Sequence, residues 1–106
     1  MAEVLTIEEL RGRLDVIDDQ LVRLLNVRVA CAVEVGRLKH ESGLPIYQPE
    51  REAQVLASVR KAATELAGPL TAEAVVRIFE RIIDEARRAE REASSHRETF
   101  DSSIGE

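Results

Sequence analysis

Four charged residues fall on the inward helical faces that the hydrophobic pattern of this chain defines: Arg28, Lys39, Glu52 and Glu90. Apolar residues recur at Ile7, Leu10, Leu14, Ile17, Leu21 and Leu24, then at Cys31, Val35 and Leu38, and Arg28 interrupts that row. The position four before Leu56 is Glu52, and the position four after Ala86 is Glu90. A charge on an inward helical face is costly to desolvate unless another charge compensates it. Eleven residues lead from Arg28 to Lys39, nearly three full turns at ~100° each, so the two point the same way about 16 Å apart along the axis. Between them on that face lie Ala32, Val35 and Gly36. Two long cations leaning over a floor of small residues make a pocket for a compact dianion.

Arg11 precedes Arg28 by seventeen residues, which rotates it ~100° away on the same helix. It cannot join this pocket from its own chain, but in an antiparallel dimer it reaches the partner's. The competing reading of the inward charges is an Arg–Glu network that only fixes the register of a helical bundle. Periodicity alone does not decide between the two, and it does not name a ligand.

Three helices must position these residues. Thr6 with Glu9 three residues later makes a capping box. The apolar steps that follow alternate three and four, the period of a coiled-coil seam, and they stop at Gly43 and Pro45. Helix 1 therefore spans roughly 7–41 and is about 50 Å long. A compact domain of 106 residues has a radius of gyration of only ~13 Å, so one end of this helix projects bare apolar surface. The remedy is a second chain alongside, hence a homodimer with interlocked long helices. Gly12 and Gly36 each cost ~1 kcal/mol relative to Ala in a helix; close packing against a partner or ligand would justify Gly36.

Pro49 suits the first turn of helix 2, with Glu50 and Glu52 at its positive end. This helix runs to about Leu66, closed by Gly68 and Pro69. Thr71 caps helix 3, whose stripe is Val76, Phe79, Ile83 and Ala86 and which reads to about Glu92. On its outer face Glu73–Arg77, Arg81–Glu85 and Asp84–Arg88 have the spacing of weak solvated pairs. Residues 1–92 thus read as one helical domain, and 93–106 as a polar tail without structure. The fold class is all-α.

Composition bounds the function. Aromatics are 3 % and Trp is absent, so the core is aliphatic. The formal net charge of −5 argues against nucleic acid or an anionic membrane as a partner. Cys31 is the single cysteine, which excludes an internal disulfide; it reads as a small buried hydrophobe, with a reactive thiol as the alternative. No signal region opens the chain and no run approaches the ~20 apolar residues that cross a bilayer, so the expected location is the cytoplasm.

The stretch "LRGRLDVIDDQLVRLLNVRVACAVEVGRLK" followed by "GLPIYQPERE" resembles the all-helical (AroQ-type) chorismate mutase family over about residues 7–92. The matching set is Leu-Arg near the start, the Ile-Asp pair, Arg28, Val-Gly-x-x-Lys ending at Lys39, and Arg51-Glu52. The resemblance implies an intertwined dimer of three-helix chains, two equivalent active sites, no cofactor and no metal, and conversion of chorismate to prephenate. It implies that Arg28, with Arg11 of the partner subunit, grips the substrate carboxylates. Lys39 would contact a carboxylate and the ether oxygen, and Glu52 would accept the ring hydroxyl's hydrogen bond, supported by Arg51. Val35 and Ile83 would pack on the ring. Gln48 stands where the family often has Asp, and Ala86 where a Ser often helps bind a carboxylate. Glu90 falls where the family carries Gln or Glu bonding the ether oxygen, and to donate there it must be protonated.

Three rival functions stay open. An isochorismate–pyruvate lyase resembles this fold, although Glu52 after Arg51 favours the mutase. A mutase of the 4-amino analogue of chorismate fits because Glu52 can hold an amino group. A non-enzymatic helical dimerisation module would use the inward charges only for register.

Overall fold

The computed structural model describes residues 4–45 and 47–104, with side chains through His96. Helix α1 covers Ile7–Ser42, α2 covers Pro49–Leu66 and α3 covers Ala72–Ile104. The all-α class expected from the sequence holds among the described residues.

Local chemistry sets most of the boundaries. The Thr6 hydroxyl accepts from the Glu9 N–H at 3.1 Å while the Glu9 carboxylate accepts from the Thr6 N–H at 3.2 Å. Gly43 ends α1 at φ 69°, in the left-handed region, and its N–H donates to the His40 carbonyl. Pro49 opens α2, and the Thr71 hydroxyl accepts from the Ala74 N–H at 3.1 Å to cap α3.

Two ends differ from the sequence reading. The left-handed residue that closes α2 is Ala67, at φ 53°, rather than Gly68. A Cβ in that conformation is strained by about 1 kcal/mol. Ala67→Gly is therefore expected to raise stability by up to about 1 kcal/mol, measurable as a higher midpoint in urea. At the other end, α3 does not stop near Glu92 but continues through Ala93–Ile104. No Pro or Gly occurs between Ala72 and Ile104, and the first breaker is Gly105. A polar composition without apolar period lacks a packing face, but it contains nothing that forbids helix.

The outer-face pairs also differ in part. Arg81 and Glu85 pair at 2.8 Å as the spacing suggests. Glu73 instead reaches across to Arg60 of α2 at 2.6 Å, and Asp84 pairs with Arg87 at 3.3 Å. Backbone hydrogen bonding first, and the Arg60 guanidinium second, hold the Glu73 carboxyl below its ordinary value.

Helix α3 is the central element: α1 packs on it, α2 packs on it, and the backbones of α1 and α2 meet only through it. Ala86 on α3 is the one buried hydrophobic residue among the described residues, 4 % exposed. The molecule measures 71 × 30 × 17 Å with a radius of gyration of 18.9 Å, well above the ~13 Å of a compact domain this size. The excess is the N-terminal half of α1, where every residue from Thr6 to Val27 is exposed. Its seam residues Leu10, Leu14, Ile17, Leu21 and Leu24 remain 45–65 % accessible. Covering that row would contribute on the order of 5 kcal/mol. No helix of the described residues is long and apolar enough to cross a membrane.

Candidate active site

The C-terminal half of α1, the start of α2 and the C-terminal half of α3 enclose a cleft of about 710 Å³. Of the residues singled out from the sequence, Arg28, Val35, Lys39, Gln48, Arg51, Glu52, Ile83, Ala86 and Glu90 all line it. Arg11 does not; on the same helix it lies about 25 Å from Arg28 along the axis.

Helix α1 supplies the floor and the cations. Ala32, Val35 and Gly36 line the cleft between Arg28 and Lys39, as their spacing requires. Gly36 faces Glu90 directly: a Cβ there would lie 3.6 Å from the Glu90 Cγ and 3.7 Å from its Oε2, ordinary van der Waals contact. The Arg28 guanidinium stands over the Phe79 ring of α3, 5.8 Å from its centroid. That stacking holds the planar cation in place while leaving its N–H edges to bond an anion.

Helix α2 enters the cleft at its N-terminus. The Gln48 side chain makes no capping bond there. Its carbonyl accepts from the N–H groups of Arg51 and Glu52 at 3.1 and 3.3 Å. Glu52, 24 % exposed, is ion-paired with Arg87 of α3.

Helix α3 brings Ile83, Ala86 and Glu90 to the same wall. Partial burial raises the Glu90 carboxyl above its ordinary value, and Lys39, then Arg87 and Arg91, oppose that rise. Removal from water outweighs the three cations, so the proton is held more tightly than in a free glutamate. A protonated carboxyl facing a cationic cleft can donate a hydrogen bond that an ionised one cannot.

Several lining residues escape the sequence reading: Tyr47, Arg87, Arg91 and Ser94. The signal for three of them lies in the helical step. Four beyond Glu90 is Ser94, which falls in the stretch expected to be tail, and one row over, Arg87 is followed four later by Arg91. Arg87 is half-buried, bonds Glu52 and stands 5.8 Å over the Tyr47 ring. Cys31 is exposed and lines the cleft rather than filling a core, because among the described residues α3 covers this face of α1 only partly.

Comparisons with known proteins bear on the family and the fold. The profile of a family described as chorismate mutase type II matches residues 10–91. The chain is 37 % identical over 78 residues to a bifunctional chorismate mutase/prephenate dehydratase of Aquifex aeolicus, covering 73 % of this chain and 22 % of that protein. It is 50 % identical over 60 residues to the T-protein of Enterobacter agglomerans, covering 57 % of this chain and 16 % of that one. The chain thus spans about a fifth of the length of these two relatives. The chorismate mutase (form II) of Thermus thermophilus has a similar structure, with a TM-score of 0.73 at 34 % identity over 80 % of this chain and 93 % of that one. A profile match across all three helices, and a solved relative of nearly the same extent, lead to one assignment: the chain belongs to the chorismate mutase type II family.

Proposed function

We propose that this chain catalyses the Claisen rearrangement of chorismate to prephenate, on the route to phenylalanine and tyrosine, as a homodimer. The observation that carries the reading is that Arg28, Lys39, Glu52 and Glu90 meet in one cleft over a floor of small residues. The net charge of −5 supports a small-molecule ligand over nucleic acid or an anionic membrane, and a cytoplasmic location goes with this reading.

The rearrangement is unimolecular and needs no nucleophile, metal or redox cofactor. The protein's task is to hold the enolpyruvyl arm folded over the ring, which fixed carboxylate clamps do. Arg28 from one chain and Arg11 from the other grip the two carboxylates, Val35 and Ile83 pack on the ring, and Glu52 with Arg51 takes the ring hydroxyl. In the transition state the carbon–oxygen bond breaks ahead of carbon–carbon formation, so negative charge gathers on the ether oxygen. Lys39 and a protonated Glu90 aimed at that oxygen stabilise the transition state more than the substrate. The bare seam of α1 supports the dimer, since a second copy covers it and brings Arg11 to the opposite cleft.

The test is to add purified protein to chorismate and, separately, to isochorismate, follow the ultraviolet absorbance and identify the product. Prephenate is the expected product; salicylate and pyruvate from isochorismate, with chorismate untouched, would identify a lyase instead.

The raised Glu90 gives this reading a pH signature. As pH rises through its elevated pKa, Glu90 loses the proton it donates and gains a charge that repels the ether oxygen. Activity is expected to fall on that alkaline side. Glu90→Gln, which keeps a donor at every pH, is expected to flatten the decline; an unchanged decline assigns it to another group. Stability moves the same way. The folded chain binds this proton more tightly than the unfolded one, so the contribution is present at low pH and lost as pH passes the raised value.

A further inference from the structure

The proposed roles place Glu52 at the end of the cleft that holds the ring substituent, and Glu52 comes with a cation already attached. Arg87 projects from α3, pairs with Glu52 and lies 5.8 Å over the Tyr47 ring. Both partners are withdrawn from water, Glu52 to 24 % and Arg87 to 39 % exposure. The stacking on Tyr47 and a second bond to Asp84 at 3.3 Å fix the guanidinium where it is. Arg51 adds a further positive charge along the same cleft.

Two ligands differ at this end. Chorismate offers a neutral hydroxyl, and its 4-amino analogue offers an ammonium, which keeps its proton at neutral pH. An ionised carboxylate has about four lone-pair sites, so Glu52 can accept from Arg87 and from a hydroxyl together. An ammonium asks for more than an acceptor. It needs net negative charge to replace the water it leaves, and Arg87, although shared with the more exposed Asp84, offsets the Glu52 charge before the ligand arrives.

Resting on the mutase reading, we infer that Arg87 is a specificity-determining residue: by neutralising Glu52 it admits a ring hydroxyl and excludes a ring ammonium. It acts through Glu52 and is a positioning residue, not a catalytic one. It works by rejection of the wrong ligand rather than by added grip on the right one.

The experiment compares kcat/KM for chorismate and for 4-amino-4-deoxychorismate in three proteins. The fraction of folded enzyme cancels from each ratio, so a variant that folds poorly still reports. The unaltered protein is expected to prefer chorismate at least about tenfold, the size of one uncompensated charge in a partly solvated site. Arg87→Met keeps an unbranched stem on Tyr47 and removes the charge; it is expected to move the ratio about tenfold or more toward the amino substrate. Arg87→Lys restores the charge and is expected to restore the preference. A ratio that does not move in Arg87→Met, or one that moves equally in Arg87→Lys, overturns the assignment. An unaltered protein that turns over neither substrate overturns instead the mutase reading on which it rests.

Discussion

Lys39→Leu is expected to lower kcat/KM for chorismate by about a thousandfold, roughly 4 kcal/mol of barrier, while the helical content stays unchanged. The reasoning turns on what a leucine does and does not keep. It fills the same space on α1 beside Gly36 and Glu90, so packing against α3 survives. On the proposed mechanism it removes the charge aimed at the ether oxygen, which counts most when the carbon–oxygen bond is breaking. The loss therefore falls on kcat as well as on KM. Arg28→Leu is the companion, with the loss weighted toward KM because a carboxylate is gripped in the ground state too. A module whose inward charges only fixed register gives the opposite result. There, both leucines raise the melting temperature, since apolar residues of similar volume often outperform a buried ionic network, and no rearrangement activity is present to lose.

The second large effect is expected at Arg11, which the single chain leaves far from its own cleft. Arg11→Ala is expected to cost about a hundredfold or more in kcat/KM, although the residue lies on the bare half of α1. Mixing makes the experiment decisive. When Arg11→Ala and Lys39→Leu chains are unfolded and refolded together, half of the dimers are mixed. Each mixed dimer has one site with both residues intact and one with neither, so about a quarter of the full activity returns. Two nearly inactive proteins giving an active mixture means that residues from two chains share one site. Activity that stays at the level of the separate variants rules out the donated Arg11.

Much of this is legible in the sequence because helices report themselves locally. The capping box at Thr6, Gly43 after α1, Pro49 at the start of α2 and Thr71 before α3 each act within a few residues, and the side chains that do so are visible in the string. The cleft is legible for a related reason. Charges on apolar stripes are costly; Arg28, Glu52 and Glu90 each fall on a stripe in the sequence itself, and Lys39 falls on the Arg28 face eleven residues on. What escapes depends on relations between helices. Arg87 sits beside its stripe rather than on it and looks like one more outer-face charge; only the approach of α2 gives it Glu52 and Tyr47. Glu73 has a suitable arginine four residues on, yet it pairs with Arg60 across an interface that no helical spacing rule describes. Cys31 obeys the seam and reads as buried, but a seam faces whatever is present, and within one chain α3 leaves that position open. The length of α3 escapes for the reverse reason: the end of an apolar period marks the end of a packing face, and a helix can outrun its packing face.

The arrangement of α1 and α2, which both pack on α3 and face each other across one cleft, has a mechanical corollary. Arg28 and Lys39 stand on one jaw and Arg51 and Glu52 on the other, and both jaws rest on α3, so the gauge between them depends on what α3 carries. The most buried residue that α3 brings to the cleft is Ala86, a single methyl group. Bulkier side chains at this position pry the jaws apart, and a substituent on the gripped molecule has to fit whatever opening results. A family built this way can retune the size of its guest at one wedge while leaving every charged group on its original helix.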